Sequence, residues 1–226
     1  MFWDPTIMLL IPGLLLSLWA SFKVRGTFAN YARVPARSGL SGAEAAAALA
    51  ASRGLRVGIE PSPGGTLSDH FDPTTNTLRL SPEVYSGRSL AALGVAAHEM
   101  GHALQKADGY APLALRSGLV PFAGLGSNLA FVLLLAGMLL SMKPLLYAGI
   151  AFFSLAVLFS LVTLPVEFDA SARALRMLAA DGLIGRDELP GVRSVLNAAA
   201  WTYVAAAVVA VLELLRLILI ARGSEE

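Results

Sequence analysis

Four stretches of this chain run for 18 or more residues without a single charge, and they limit what it can fold into. They extend from Pro5 to Phe22, Ser117 to Met142, Pro144 to Val166 and Ser194 to Leu212. A helix of about 20 apolar residues crosses the hydrocarbon core of a bilayer, so each stretch is a candidate span. With 226 residues, 56% of them hydrophobic and 15% charged, the chain is too short to enclose four such helices in a soluble core. The first stretch has no basic lead: Asp4 precedes it, and Lys23 and Arg25 follow, which suits a retained anchor better than a signal peptide. The expected fold is therefore an α-helical multi-pass membrane protein with about four transmembrane helices, at residues 5–22, 117–142, 144–166 and 194–220. Glu213 and Arg216 interrupt the last of these; three residues apart on a helix, they are expected to pair and snorkel near its end. Phe2, Trp3, Trp201 and Tyr203 are expected as interfacial anchors.

The spans leave two polar regions of useful size, 23–116 and 167–193. The first holds ten of the 17 Lys and Arg residues and the second four, with Lys23, Arg25, Arg33 and Arg37 directly after the first span. By the positive-inside rule both regions face the cytoplasm, which places the protein in the cytoplasmic (inner) membrane. A formal net charge of +1 and the absence of a basic run mixed with aromatics argue against nucleic acid as a partner. The lipid bilayer is the partner that composition demands. With no cysteine, disulfides and thiolate metal sites are excluded.

Residues 23–116 read as a small α+β domain. Ser41-Gly42-Ala43-Glu44 has capping-box spacing ahead of an Ala-rich helix that stops at Gly54. Leu55 to Glu60 alternates like a short strand, and Pro61 to Gly65 is a turn. Thr66 to Phe71 and Thr77 to Leu80 read as two further strands joined by Asp72 to Asn76. A short helix starts at Ser81-Pro82-Glu83, and a longer one runs from about Ser89 to Lys106. A Pro- and Gly-bearing stretch, Asp108 to Ser117, leads into the second span.

That longer helix carries His98-Glu99-Met100-Gly101-His102. Two histidines four residues apart share a helix face, so both imidazoles can converge on one Zn²⁺, and Glu99 is placed to act as general base on a water at the metal. A solvated helix face is the competing reading, but the flanks Val95-Ala96-Ala97 and Ala103-Leu104 look buried, and buried His and Glu need partners. A catalytic zinc takes three protein ligands and leaves one position open. Glu167 is the first choice for the third ligand. It stands in Pro165-Val166-Glu167-Phe168-Asp169-Ala170-Ser171, where Pro165 suits the first turn of a helix starting at the end of the third span. A hairpin of spans two and three would return Glu167 to the membrane face that His102 leaves. Asp169 and His70 are the alternatives.

Three phrases together resemble the YugP-type neutral zinc metallopeptidases of bacterial membranes, within the broader gluzincin pattern of H-E-x-x-H plus a downstream Glu. They are Leu67 to Pro73, Val95 to Gln105 and Pro165 to Ser171, and the similarity spans nearly the whole chain. The resemblance implies a zincin-like catalytic domain, a Zn²⁺ cofactor held by His98, His102 and Glu167, and Glu99 as catalyst. One departure is that Ser171 stands four residues after Glu167, where gluzincins often carry an Asp that orients a zinc histidine. Asp169 or Asp108 are the other candidates for that supporting role.

The chemistry this predicts is metal-assisted hydrolysis of a polypeptide, with an oxyanion donor still to be supplied. His70, the one histidine outside the motif, is the first candidate, ahead of Tyr85 and Tyr110. Thr66 to Phe71 is a candidate edge strand for extended substrate. A membrane-integrated zinc peptidase, of endopeptidase type, is the leading function. The alternative is a non-catalytic membrane metal-binding scaffold or adaptor, which would have no use for Glu99.

Overall fold

The computed structural model of the chain describes residues 5–65 and 68–223, and most of them are helical. A 3-10 helix, Pro5–Leu10, leads into α1 (Ile11–Tyr31). Then follow α2 (Gly42–Ser52), β1 (Gly58–Pro61), β2 (His70–Asp72), β3 (Thr77–Leu80), α3 (Pro82–Tyr85), α4 (Leu90–Ala107), α5 (Ala111–Leu139), α6 (Lys143–Ala180) and α7 (Leu189–Gly223). The residues divide into two compact units.

One unit takes in the chain up to Ser21, Ala114–Pro165, and Thr202 onward. Its residues come from the most apolar helices. Among the described residues, Thr6–Tyr31, Lys143–Ala180 and Leu189–Gly223 are long and apolar enough to cross a membrane, with mean hydropathies of 1.9, 2.4 and 2.5. A fourth crossing is available if α5 counts as one span. Its parts Ala111–Gly124 and Asn128–Leu139 meet at a 40° bend. Protein covers only 11% to 22% of the three apolar windows, so most of their surface needs a nonpolar solvent. Leu14, Leu15, Phe131 and Leu139 are among the exposed apolar side chains. Glu213 and Arg216 pair at 3.0 Å on α7, as expected from their spacing. Trp201 is exposed, Tyr203 is half-buried, and Phe2 and Trp3 lie outside the described residues.

The helices outrun the charge-free stretches that announced them. Lys23 and Arg25 lie within α1, which continues to Tyr31, and α5 begins as early as Ala111. Pro165, expected at the start of a new helix, lies inside α6 instead. A charge ends an apolar window but leaves backbone hydrogen bonding intact. Proline removes one donor, yet apolar helices tolerate it where hydroxyl side chains and neighbours take up polar groups.

The other unit comprises Phe22–Leu113 and Val166–Trp201. The Ser41 capping box is present: Ser41 Oγ accepts from the Glu44 N–H at 3.2 Å, and the Glu44 carboxylate accepts from the Ser41 N–H at 2.7 Å. Past α2, Gly54 takes φ +63°, a left-handed conformation that ends the helix and favours glycine. The sheet has strand order β1-β3-β2, with β1 parallel and β2 antiparallel to β3. The first strand is shorter than expected, pairing only from Gly58 to Pro61. Of the expected Thr66 to Phe71 strand, His70 and Phe71 belong to β2, while Thr66 and Leu67 lie outside the described residues. Asp72 turns the chain between β2 and β3 by accepting from the Thr74 N–H at 2.8 Å and pairing with Arg79 at 2.8 Å. These bonds hold its carboxyl well below the usual carboxylate range.

Helix α4 runs through the middle of this unit. Ser89 caps its first turn by accepting from the Ala92 N–H, and Lys106 in its last turn complements the helix dipole. Its burial extends nearly all round, as a helix of Ala, Gly and Leu permits. Leu93 and Met100 are fully buried with Leu49 of α2, Leu78 and Leu80 of β3, Leu178 of α6 and Val192 of α7.

Candidate metal centre

The middle of α4 presents His98 and His102 on one face, with ring centroids 4.8 Å apart and planes at 85°. Glu167 of α6 meets both. Its Oε2 is 3.2 Å from His98 Nε2 and 3.6 Å from His102 Nε2. The approach depends on two small residues. Gly101 faces Ala170 so closely that a Cβ on Gly101 would stand 2.6 Å from the Ala170 carbonyl oxygen. Any larger residue in the fourth position of the motif would push α6, and Glu167 with it, away from the histidines.

Among the described residues, His98, His102 and Glu167 form a group whose ligand atoms all lie within 4.8 Å of one another and could hold a metal ion. The donor set fits zinc: two imidazole nitrogens and one carboxylate oxygen make a catalytic His₂Glu set with a fourth position to spare. The spacing fits as well, since tetrahedral ligands about 2.0–2.1 Å from zinc stand about 3.4 Å apart. Neither alternative third ligand, Asp169 or His70, belongs to the group.

The electrostatics are those of a tightly coupled cluster. Burial opposes ionisation of Glu167, but hydrogen bonds to His102 and His98 outweigh it and hold the carboxyl well below its usual range. Burial likewise opposes a charged His102, yet the Glu167 hydrogen bond and the nearby Glu99 charge raise its pKa above the ordinary imidazole value. Glu99 is itself 8% exposed, and among the described residues its carboxylate takes part in no hydrogen bond or ion pair. Close to it electrostatically is Asp69, whose pKa burial pushes up against two opposing bonds from Ser81, with the Glu99 charge adding to the rise.

Behind the histidines lies a polar shell. Ser171 Oγ is 3.1 Å from His98 Nδ1, the place where an orienting side chain was expected. His102 Nδ1 is 3.0 Å from Gln105 Oε1, and Gln105 Nε2 donates to the Val166 carbonyl at 2.8 Å and to Asp169 Oδ2 at 2.9 Å. Arg173 binds Asp169 at 2.5 Å, pairs with Asp108, and lies over the Tyr110 ring at 5.6 Å. Sequence reasoning missed Gln105. Its signal was available: it stands three residues after His102, on the same helix face. His70, by contrast, is exposed on β2, with Nδ1 donating to the Ser68 carbonyl at 2.9 Å. Tyr85 packs against the hydrophobic core.

A histidine–glutamate group that could hold a metal ion, in a chain whose helices are long and apolar enough to cross a membrane, is the class these features define. The chain belongs to the family described as "Putative neutral zinc metallopeptidase", which it matches over residues 6–222. It is similar to the "Putative membrane protease YugP" of Bacillus subtilis (strain 168), with 49% identity over 215 residues, 95% of this chain and 95% of that protein. No solved structure matches it.

Proposed function

We propose that the protein is a membrane-integrated zinc peptidase that hydrolyses peptide bonds of cytoplasmic or membrane-adjacent polypeptides. The observation that carries this reading is the convergence of His98, His102 and Glu167 on one point, on the helix that also carries Glu99 directly after His98. Zinc would be held by the two imidazoles and the Glu167 carboxylate. Bound there, it supplies the Lewis acidity that polarises a scissile carbonyl and makes water a nucleophile at neutral pH. Glu99 accepts the proton of the attacking water and returns it to the leaving amine. Among the described residues no hydrogen bond engages its carboxylate, which leaves its lone pairs available for that transfer.

Negative charge growing on the carbonyl oxygen needs a donor. His70 is the candidate, with Tyr85 and Tyr110 behind it. Because His70 Nδ1–H is committed to the Ser68 carbonyl, a neutral ring turns a lone pair outward at Nε2, so the role requires the imidazolium. Among the described residues β2 stands at one edge of the sheet, where an extended substrate would align by backbone hydrogen bonds. The charge bias of residues 23–116 and 167–193 supports a cytoplasmic catalytic domain on a four-span anchor in the inner membrane. A domain of zincin type is consistent with a motif helix packed beside a small mixed sheet.

The test is zinc content and casein cleavage by the detergent-solubilised protein, beside Glu99→Gln and Glu167→Ala. Wild type is expected to bind one zinc and cleave, Glu99→Gln to keep zinc and lose turnover, and Glu167→Ala to lose zinc. Cleavage by Glu99→Gln at the wild-type rate would sink the mechanism. Zinc bound without cleavage of any substrate would favour a metal-binding scaffold.

A further inference from the structure

We infer that Gln105 is a positioning residue that fixes the ring orientation and tautomer of His102 for zinc, anchored through Asp169 and Arg173. This rests on the zinc reading above. Gln105 is completely buried, and all three of its amide bonds are made inside the protein. Its nitrogen faces two groups that can only accept, the Val166 carbonyl at 2.8 Å and the Asp169 carboxylate at 2.9 Å. Turning the amide over would set its oxygen against both acceptors and leave two buried hydrogen bonds unmade. The amide therefore has one orientation, with Oε1 toward His102 Nδ1 at 3.0 Å. An amide oxygen only accepts, so His102 Nδ1 carries a hydrogen, and a neutral ring must offer its lone pair at Nε2. That is the nitrogen 3.6 Å from Glu167 Oε2, on the side where the ligand atoms converge.

The same amide ties two ligands together. Val166 immediately precedes Glu167 in the chain, so Gln105 holds α4 and α6 in register at the level of the third ligand. Asp169 is in turn held by Arg173 Nε at 2.5 Å, and Arg173 reaches on to Asp108. The carboxylate expected directly behind a zinc histidine thus acts one step removed, through an amide. His98 is supported differently. Ser171 Oγ, 3.1 Å from its Nδ1, is a hydroxyl that can donate or accept and so selects no tautomer. Of the two imidazoles, His102 is the one whose orientation the fold decides in advance.

Full-length protein in detergent would be titrated with zinc against a competing chelator, and its three histidine rings followed by nitrogen-15 NMR in the zinc-loaded state. Gln105→Met keeps side-chain length and helix propensity but removes the lock. Its zinc affinity is expected to fall by about 10- to 100-fold, the range for lost support behind a metal ligand. The hydrogen-bonded Nδ1–H resonance of His102 should vanish in solvent exchange. Asp169→Ala removes the anchor behind the Gln105 amide and is expected to shift both readouts in the same direction as Gln105→Met, by a smaller amount. A purely structural role would lower the melting temperature without moving that resonance. If wild type binds zinc and Gln105→Met binds it equally well with His102 Nδ1–H unchanged, the role of Gln105 is refuted while the zinc reading stands. If wild type binds no zinc, the zinc reading itself fails and takes this inference with it.

Discussion

Gly101→Ala tests the geometry at its tightest point. The added Cβ would lie 2.6 Å from the Ala170 oxygen and 3.1 Å from its carbonyl carbon and Cα, where ordinary contacts begin at 3.4 Å. All three neighbours are backbone, so no side chain can swing away. The two helices must part by about 0.8 Å, the difference between 3.4 and 2.6 Å. Glu167 lies one turn from Ala170 on α6, so its separations of 3.2 and 3.6 Å from the imidazoles grow by a similar amount. Metal–ligand distances tolerate about 0.2 Å. Zinc affinity should therefore fall by about 10- to 100-fold, as when a ligand's support is lost. Turnover should fall by about 100-fold, the penalty for a 1 Å displacement of a catalytic group. Stability should change far less: overpacking costs about 1–3 kcal/mol, and replacing glycine by alanine in a helix returns about 1 kcal/mol. Zinc competition, casein cleavage and thermal unfolding measure the three effects separately. Gly26→Ala serves as control, because nothing lies within 4 Å of a Cβ at that position of α1. Unchanged zinc affinity and turnover in Gly101→Ala would refute the claim that this contact sets the site.

Three further outcomes are expected. Ser41→Ala removes the acceptor for the Glu44 N–H and should cost about 1 kcal/mol, read as a lower melting temperature with zinc binding intact. Asp69 has a folded pKa raised above 3.8, so its contribution to stability is present below that pH and is lost as pH rises through the folded value. Asp69→Asn lacks this dependence, and its melting temperature relative to wild type should climb as pH is raised from about 4 to 7; a flat difference would count against the burial argument. Removing metal with a chelator should lower the melting temperature, and zinc should restore it, since a ligand at 1,000 times its Kd adds about 4 kcal/mol.

Much of this architecture was legible because its signals are local. The Ser41 box, the Gly54 stop and the short helix after Ser81 each depend on groups within a few residues, and the structure has all three. The apolar windows marked the membrane-type helices but not their ends, because α1 and α6 continue through charged residues. Pro165 misled for a related reason. Proline at the first turn of a helix is a rule for water-exposed starts, whereas an apolar helix carries it in the interior. Gln105 escaped notice because an amide three residues from a histidine gains meaning only when Val166 and Asp169 stand opposite it.

By itself, the sequence determined that this chain contains membrane-type helices and a histidine pair on one helix face. Hydrophobic length and the 3.6-residue period act along the chain and need no partner. Glu167 was already the first choice from sequence, but which carboxylate stands beside the histidines was a matter for the tertiary structure. Glu167 and Asp169 are two residues apart on α6, so they project from different sides of it. Packing of Gly101 on Ala170 turns Glu167 toward the histidines and leaves Asp169 to bind Gln105 and Arg173. His98 and Glu167 are 69 residues apart in sequence, and only the close contact of two buried helices brings them within hydrogen-bonding distance.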